Sequence, residues 1–264
     1  MSTSTLPITD PTAAEVAPRP LLGSVLALVG SELRLVLREP LVLAFVFAFP
    51  IVTVLVIAGS FSSDDDGFGG VDPSHWYVAS YLAVVVAAIG LVMVPVHLAA
   101  YRERGVLRRF AAAGFPRWSF LLAQLAVGLV LTLVASAVLL AVAAPVYGLP
   151  AVHDPVRVAA ALLLGALAFT TIGLLIGSLV PNARAAQGLG LLAFFPSFLL
   201  GGGGPPPAVM SDGMRRVSDL LPLTHVTDAI REPWLGTASG LGHLLVVAVL
   251  LGVALLVCAR SVRL

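Results

Sequence analysis

An all-α polytopic membrane protein with six spans is the fold class this sequence predicts, on three observations. Hydrophobic residues make up 59% of its 264 positions and charged residues only 11%, a balance suited to a surface that faces lipid. The apolar residues fall into runs of membrane-crossing length separated by short polar stretches. The 15 basic residues, every one an arginine, gather in alternate stretches, as the positive-inside rule requires of a chain threading back and forth.

Residues 1–20 carry Pro7, Pro11, Pro18 and Pro20 among Ser, Thr and Ala and read as a disordered tail. With Asp10, Glu15 and no apolar core, this stretch lacks the pattern of a signal peptide. Residues 21–38 are apolar at Leu22, Val25, Leu26, Val29, Leu33 and Val36, with Ser31, Glu32, Arg34 and Arg38 largely on another face. That spacing predicts a helix lying in the cytoplasmic interface, the other reading being the start of a long tilted span. Glu39 and Pro40 then turn the chain.

The first span is residues 41–58, kinked at Pro50. Asp64, Asp65, Asp66 and Asp72 follow among Gly67, Gly69 and Gly70, which favours a solvated outer turn over a calcium site. Trp76 and Tyr77 mark the outer interface of the second span, residues 76–99. Near its inner end His97 is read as an interfacial, hydrogen-bonded histidine, the alternative being a proton sensor. The loop 100–117 holds Arg102, Arg104, Arg108, Arg109, Arg117 and a lone glutamate, Glu103. It is expected to form a short cytoplasmic helix that receives mechanical work from a separate motor protein.

The third span is residues 118–146 and the fourth 156–180, where Gly173 and Gly177, four apart, allow helix backbones to approach closely. The fifth, 188–200, is short and interrupted at Pro196. The glycine run 201–204 and the prolines 205–207 cannot continue a helix, so residues 201–239 form a re-entrant or surface-lying outer element between spans five and six. The sixth span, 240–259, ends with Arg260 and Arg263. With both termini inside, the outer side keeps only Arg157, Arg215, Arg216 and Arg231.

The absence of lysine removes Walker-type ATP hydrolysis and Schiff-base chemistry, and the single cysteine, Cys258, removes disulfides within the chain and multi-cysteine zinc sites. No Asp, Glu or Arg lies well inside any proposed span, where the polar groups are mild ones such as Gln124, Thr132, Ser136, Thr170 and Thr171, so the carboxylates of an ion-coupled transporter are missing. No nucleophile or zinc-protease motif supports an intramembrane enzyme. What remains is a weakly polar path for amphipathic cargo, powered from elsewhere.

Several stretches resemble the permease subunit of ABC-2 type transporters, in particular the daunorubicin-resistance-like exporter branch. ELRLVLREPLVLAFVFAFPIV (residues 32–52) is similar to that family's elbow helix, its junction at Arg38, Glu39 and Pro40, and its first span. YRERGVLRRF (residues 101–110) resembles its E-x-G-x-L element through Glu103, Gly105 and Leu107. LPLTHVTDAIREPWLG (residues 221–236) resembles its outer element through Pro222, Leu223, Thr224, Asp228 and Arg231. Val106, Ala113 with Gly114, and Pro205 with Pro206 ahead of Pro207 depart from the usual residues.

The resemblance implies a multi-pass exporter subunit of a bacterial plasma membrane, with no cofactor of its own. ATP and magnesium would sit on a separately encoded ATPase, docked through Arg102, Glu103, Arg104, Gly105, Leu107, Arg108 and Arg109. A second permease copy, identical or related, and membrane lipids are the other implied partners, and nucleic acid is not one. A motor-independent scaffold, immunity or lipid-handling protein of the same topology is the competing reading.

Overall fold

The computed structural model describes residues 20–62, 66–115 and 117–261. Asp64, Asp65, Arg263 and residues 1–19 of the expected tail lie outside the described residues. All regular structure among the described residues is helical. In chain order α1 is Leu21–Val36, and α2 covers residues 40–58, where a π segment, Ala44–Ala48, joins Pro40–Leu43 to Phe49–Ala58. Next come α3, Pro73–Glu103, with a π segment at Ala88–Met93, and the short α4, Val106–Ala112. Then follow α5, Arg117–Tyr147; α6, Pro155–Leu179; and α7, Ala183–Leu200. The chain ends with α8, Asp212–Leu220; α9, Pro222–Leu235; and α10, Leu241–Ser261. Among the described residues α3, α5, α6, α7 and α10 are long and apolar enough to cross a membrane, while Ala44–Ala58 is a shorter apolar helix.

Local chemistry accounts for where these helices begin. Asp72 accepts from the backbone N–H of Ser74 at 2.8 Å, Asp154 from that of Arg157 at 3.0 Å, and Asn182 from that of Ala185 at 2.9 Å. Each satisfies an amide that the first turn leaves orphaned, and Pro73 and Pro155 supply a helix-compatible φ without an amide to satisfy. The second expected span therefore starts earlier than residue 76, and it runs on through Glu103. Asn182 likewise starts α7 at Ala183, ahead of the expected residue 188.

Prolines inside helices have two outcomes here. The carbonyls four residues before Pro50 and Pro95 belong to Val46 and Leu91, and both lie in the π segments. Widening the turn there makes room for the proline ring where an α-turn would clash. Pro196, by contrast, does not interrupt α7, which is continuous from Ala183 to Leu200. The adjacent Ser197 hydroxyl adds a bond to the Ala193 carbonyl at 2.8 Å, next to the one the proline removes.

The bundle is built around α3. Of its most apolar window 89% is buried, against 17% for α10, and α2, α5, α6, α7 and α9 all pack on it. Small residues set the closeness of this packing. A Cβ on Gly90 would stand 2.6 Å from the Phe169 backbone, and one on Gly177 would stand 2.7 Å from the Pro95 carbonyl oxygen. Gly173 faces the Gly90 carbonyl more closely still, and Gly190 of α7 does the same to Leu91. The close approach expected at Gly173 and Gly177 is thus between α6 and α3. Phe45 and Phe49 of α2 pack against Phe194 and Phe198 of α7 with ring centroids 5.2–5.7 Å apart.

Two elements show which of their faces meets the bundle, something their spacing alone left open. In α1 the face buried on the bundle is Ser24, Leu28, Glu32 and Val36, whereas Leu22 and Leu26 are 72% and 63% exposed. An apolar solvent inverts the usual logic: the greasy face can point away from the protein, and a carboxylate is better buried against a protein partner. Only part of the expected outer element lies on the surface. Most of α8 is exposed, but α9 buries Leu223, Val226, Thr227, Ala229, Ile230, Arg231 and Trp234 against α3, α6 and α10.

Candidate functional site

The arginine-rich stretch resolves into the end of α3, a turn and α4. Gly105 has φ +67°, a left-handed conformation that glycine adopts without a Cβ penalty, and it turns the chain sharply between the two helices. Arg104, Arg108 and Arg109 are exposed, and Leu107 is half-buried. Arg109 donates to the Arg104 carbonyl at 3.3 Å, which helps close the turn.

Arg102 and Glu103, which are exposed as well, also reach back onto the bundle. Arg102 Nη1 donates to the carbonyls of Gly177 at 2.9 Å and Val180 at 3.0 Å, at the C-terminal end of α6. Glu103 Oε2 accepts from the backbone N–H of Ala183 at 3.2 Å, at the N-terminal end of α7. A cation thus meets the carbonyl end of one helix and an anion the amide end of the next, the favourable sense for each dipole.

Two further carboxylates tie the N-terminal segment to this same end of α3. The Tyr101 hydroxyl donates to Glu32 Oε1 at 2.8 Å, and His97 Nε2 lies 3.2 Å from Glu39 Oε2. Glu32 is only 2% exposed, so α1 carries a buried acid. Arg38 and Pro40 at the junction are exposed. Glu32→Ala is expected to cost about 1–3 kcal/mol by stranding the Tyr101 hydroxyl, with Glu32→Gln keeping most of the stability. Thermal unfolding of the detergent-purified variants reads this directly.

At the opposite end of the bundle the glycine run 201–204 leaves helical geometry, and its carbonyls need donors. Three hydroxyls supply them at Gly201, Gly203 and Gly204, and a fourth bonds Leu200 just ahead of the run. Ser218 donates to Leu200 at 2.7 Å, Thr227 to Gly201, Tyr81 to Gly203 at 3.1 Å and Tyr77 to Gly204 at 3.0 Å. Gly202 sits at φ +138°, where a side chain would be strained. Thr224 bonds the Ser218 carbonyl at 2.6 Å and so joins α8 to α9. Pro207 opens a single 3-10 turn and Pro222 the first turn of α9.

Arg231 is the central charge of that end. Its guanidinium lies 3.7 Å above the Trp76 ring, donates to Ser80 Oγ at 3.2 Å and pairs with Asp228 one turn away. It is 7% exposed, so this charge of the expected re-entrant or surface-lying element lies inside the protein. The sequence reading missed this, although Trp76 and Ser80, one helical turn apart on α3, are the signal that could have suggested a polar partner. Of the five weakly polar residues expected in the spans, all are buried. Thr171 bonds its own helix, and Gln124 Nε2, Thr132 Oγ1 and Ser136 Oγ have no hydrogen-bond partner among the described residues.

Between these two ends, α2, α3 and α7 border a mostly apolar cavity of about 250 Å³. Val42 and Phe45, Val92 and Met93, and Gln187 and Leu191 line it, so the two π segments face one space. Gln187 is its polar side chain.

A family model for ABC-2 type transporters matches residues 23–234, most of the chain. The chain belongs to the ABC-2 type transporter family. This ABC-2 transporter chain is also 25% identical over 166 residues to the probable multidrug ABC transporter permease YbhR of Escherichia coli K12. The match covers 62% of this chain and 45% of that protein, and the protein of the same name in Escherichia coli O157:H7 matches to the same extent. The matched region is thus less than half the length of these curated relatives. Family and apolar helices together make the ABC-2 chain a multi-pass membrane protein with a place in transport.

Proposed function

We propose that this chain is the transmembrane permease subunit of an ATP-binding cassette exporter, moving an amphipathic drug-like or lipid-like cargo out across a bacterial plasma membrane. In this reading α2 is a sixth span and α1 an interfacial elbow. Residues 201–239 re-enter the membrane from outside, and both termini are cytoplasmic. ATP and magnesium bind a separately encoded ATPase that docks on α4. A second permease copy completes the path, with the cavity between α2, α3 and α7 as this copy's share of it.

The observation that carries the reading is α4 itself. A seven-residue helix with exposed Arg104, Arg108 and Arg109 beside it or on it stands at the end of the most buried helix of the bundle. A push on such a lever reaches the centre of the protein rather than its periphery. The mostly apolar lining of the cavity suits a cargo with an extensive hydrocarbon surface.

Co-expressed with the ABC ATPases of its own genome, the chain should purify with one of them. Arg108→Glu with Arg109→Glu should abolish that association while leaving the permease folded. Cargo export that persists in cells lacking every such ATPase would defeat the proposal and favour a motor-independent protein.

A further inference from the structure

Arg102 and Glu103 lie in the stretch expected to meet the motor, yet their side chains are spent on the bundle. Each orphaned group at the corner between α6 and α7 that they reach would otherwise need water or another donor or acceptor. Arg102 takes two carbonyls at the end of α6; Glu103 takes the first amide of α7, while Asn182 takes the amide two residues on. Close packing completes the joint, because Gly177 presses on the Pro95 backbone one to two turns above Arg102. The end of α3, the end of α6 and the start of α7 are therefore held as one block. Gln187 and Leu191, which line the cavity, lie on α7 just beyond that block.

We infer that Arg102 and Glu103 are positioning residues rather than motor contacts: they clamp the corner between α6 and α7 to the end of α3, so that displacement of α4 moves the cavity-lining part of α7. This rests on the proposed coupling role of α4. Exposed Arg108 and Arg109 face the partner, and the Arg-Glu pair passes the movement inward. The order of the two charges matters. Reversed, they would set an anion against the carbonyl end of α6 and a cation against the amide end of α7.

Spin labels at Ala111→Cys on α4 and Arg184→Cys on α7, in a Cys258→Ser background and in lipid nanodiscs, test the clamp by pulsed electron resonance. A single narrow distance is expected with Arg102 and Glu103 present, and its loss in the Arg102→Ala, Glu103→Ala double variant. Glu103→Gln keeps an acceptor for Ala183 and should retain the narrow distance, which separates the clamp from a general loss of folding. An unchanged distribution in the double alanine variant overturns the inference.

The second measurement is association with the ATPase. The double alanine variant should still bind it, whereas the Arg108→Glu, Arg109→Glu variant should not. Loss of binding in both would make Arg102 and Glu103 contacts and overturn the positioning role. If the unmodified chain binds no ATPase, the coupling reading fails, and the label pair still decides whether the clamp exists.

Discussion

Gly173→Leu is expected to prevent the chain from accumulating in folded form. At this position the backbone of α6 lies against the Gly90 carbonyl of α3, and even a Cβ has no space. Overpacking a core costs about 1–3 kcal/mol when side chains can give way, and more when they cannot. Here the obstacle is backbone on the helix that organises the bundle, so the cost should lie at or above the upper end. Gly173→Ala should fall between leucine and the native residue. Gly188→Leu, on α7 with open space beside it, is the matched control and should stay within about 0.5 kcal/mol of the native chain. Size-exclusion profiles after detergent extraction, followed by thermal unfolding, distinguish the three. A Gly173→Leu variant as stable as the control would mean that α3 and α6 do not meet in this way.

Arg231→Met should be the most damaging change outside the helix crossings, at about 3–5 kcal/mol, because it removes one partner of a buried ion pair. Among the described residues, Asp228, 16% exposed at its side chain, would keep the His243 ring, with Nε2 at 3.8 Å, as its remaining salt-bridge neighbour. The variant also loses the contact with the Trp76 ring and the bond to Ser80 that fasten α9 to α3. Adding Asp228→Asn removes the stranded charge and should recover part of the loss. A double variant no better than Arg231→Met alone would show that the ring and hydroxyl contacts, not the ion pair, dominate. Unfolding midpoints of the two variants decide it.

What the sequence made legible follows from what a linear pattern can encode. Apolar runs, glycine and proline placement and the arginine asymmetry located the long helices, and Gly173 with Gly177 pointed to a close crossing. The identity of the helix being crossed is a long-range fact, and no local spacing carries it. The same limit hid the partners of Glu32, Glu103 and Arg231, since each finds its counterpart on a distant segment. The bundle-facing side of α1 was hidden for another reason. Amphipathic spacing identifies two faces, but in an apolar solvent it does not say which one the protein keeps. Pro196 was over-read because a proline lowers helix stability without forbidding a helix that packing supports. The arginines of the loop drew attention by number, yet the residues that bind it to the bundle are one arginine and the lone glutamate beside it.

The widened turn at Ala88–Met93 has a consequence for the angular phase of α3. Ahead of it Tyr77, Ser80 and Tyr81 are aimed at the glycine run and Arg231; behind it His97, Tyr101, Arg102 and Glu103 are aimed at α1, the junction and the corner of α6 and α7. Each residue of an α-helix advances the side-chain direction by about 100°. Removing one residue from this turn would therefore rotate one set of contacts away from its partners while leaving the other in place. The π segment keeps the two ends of a single helix in register with two different sets of neighbours.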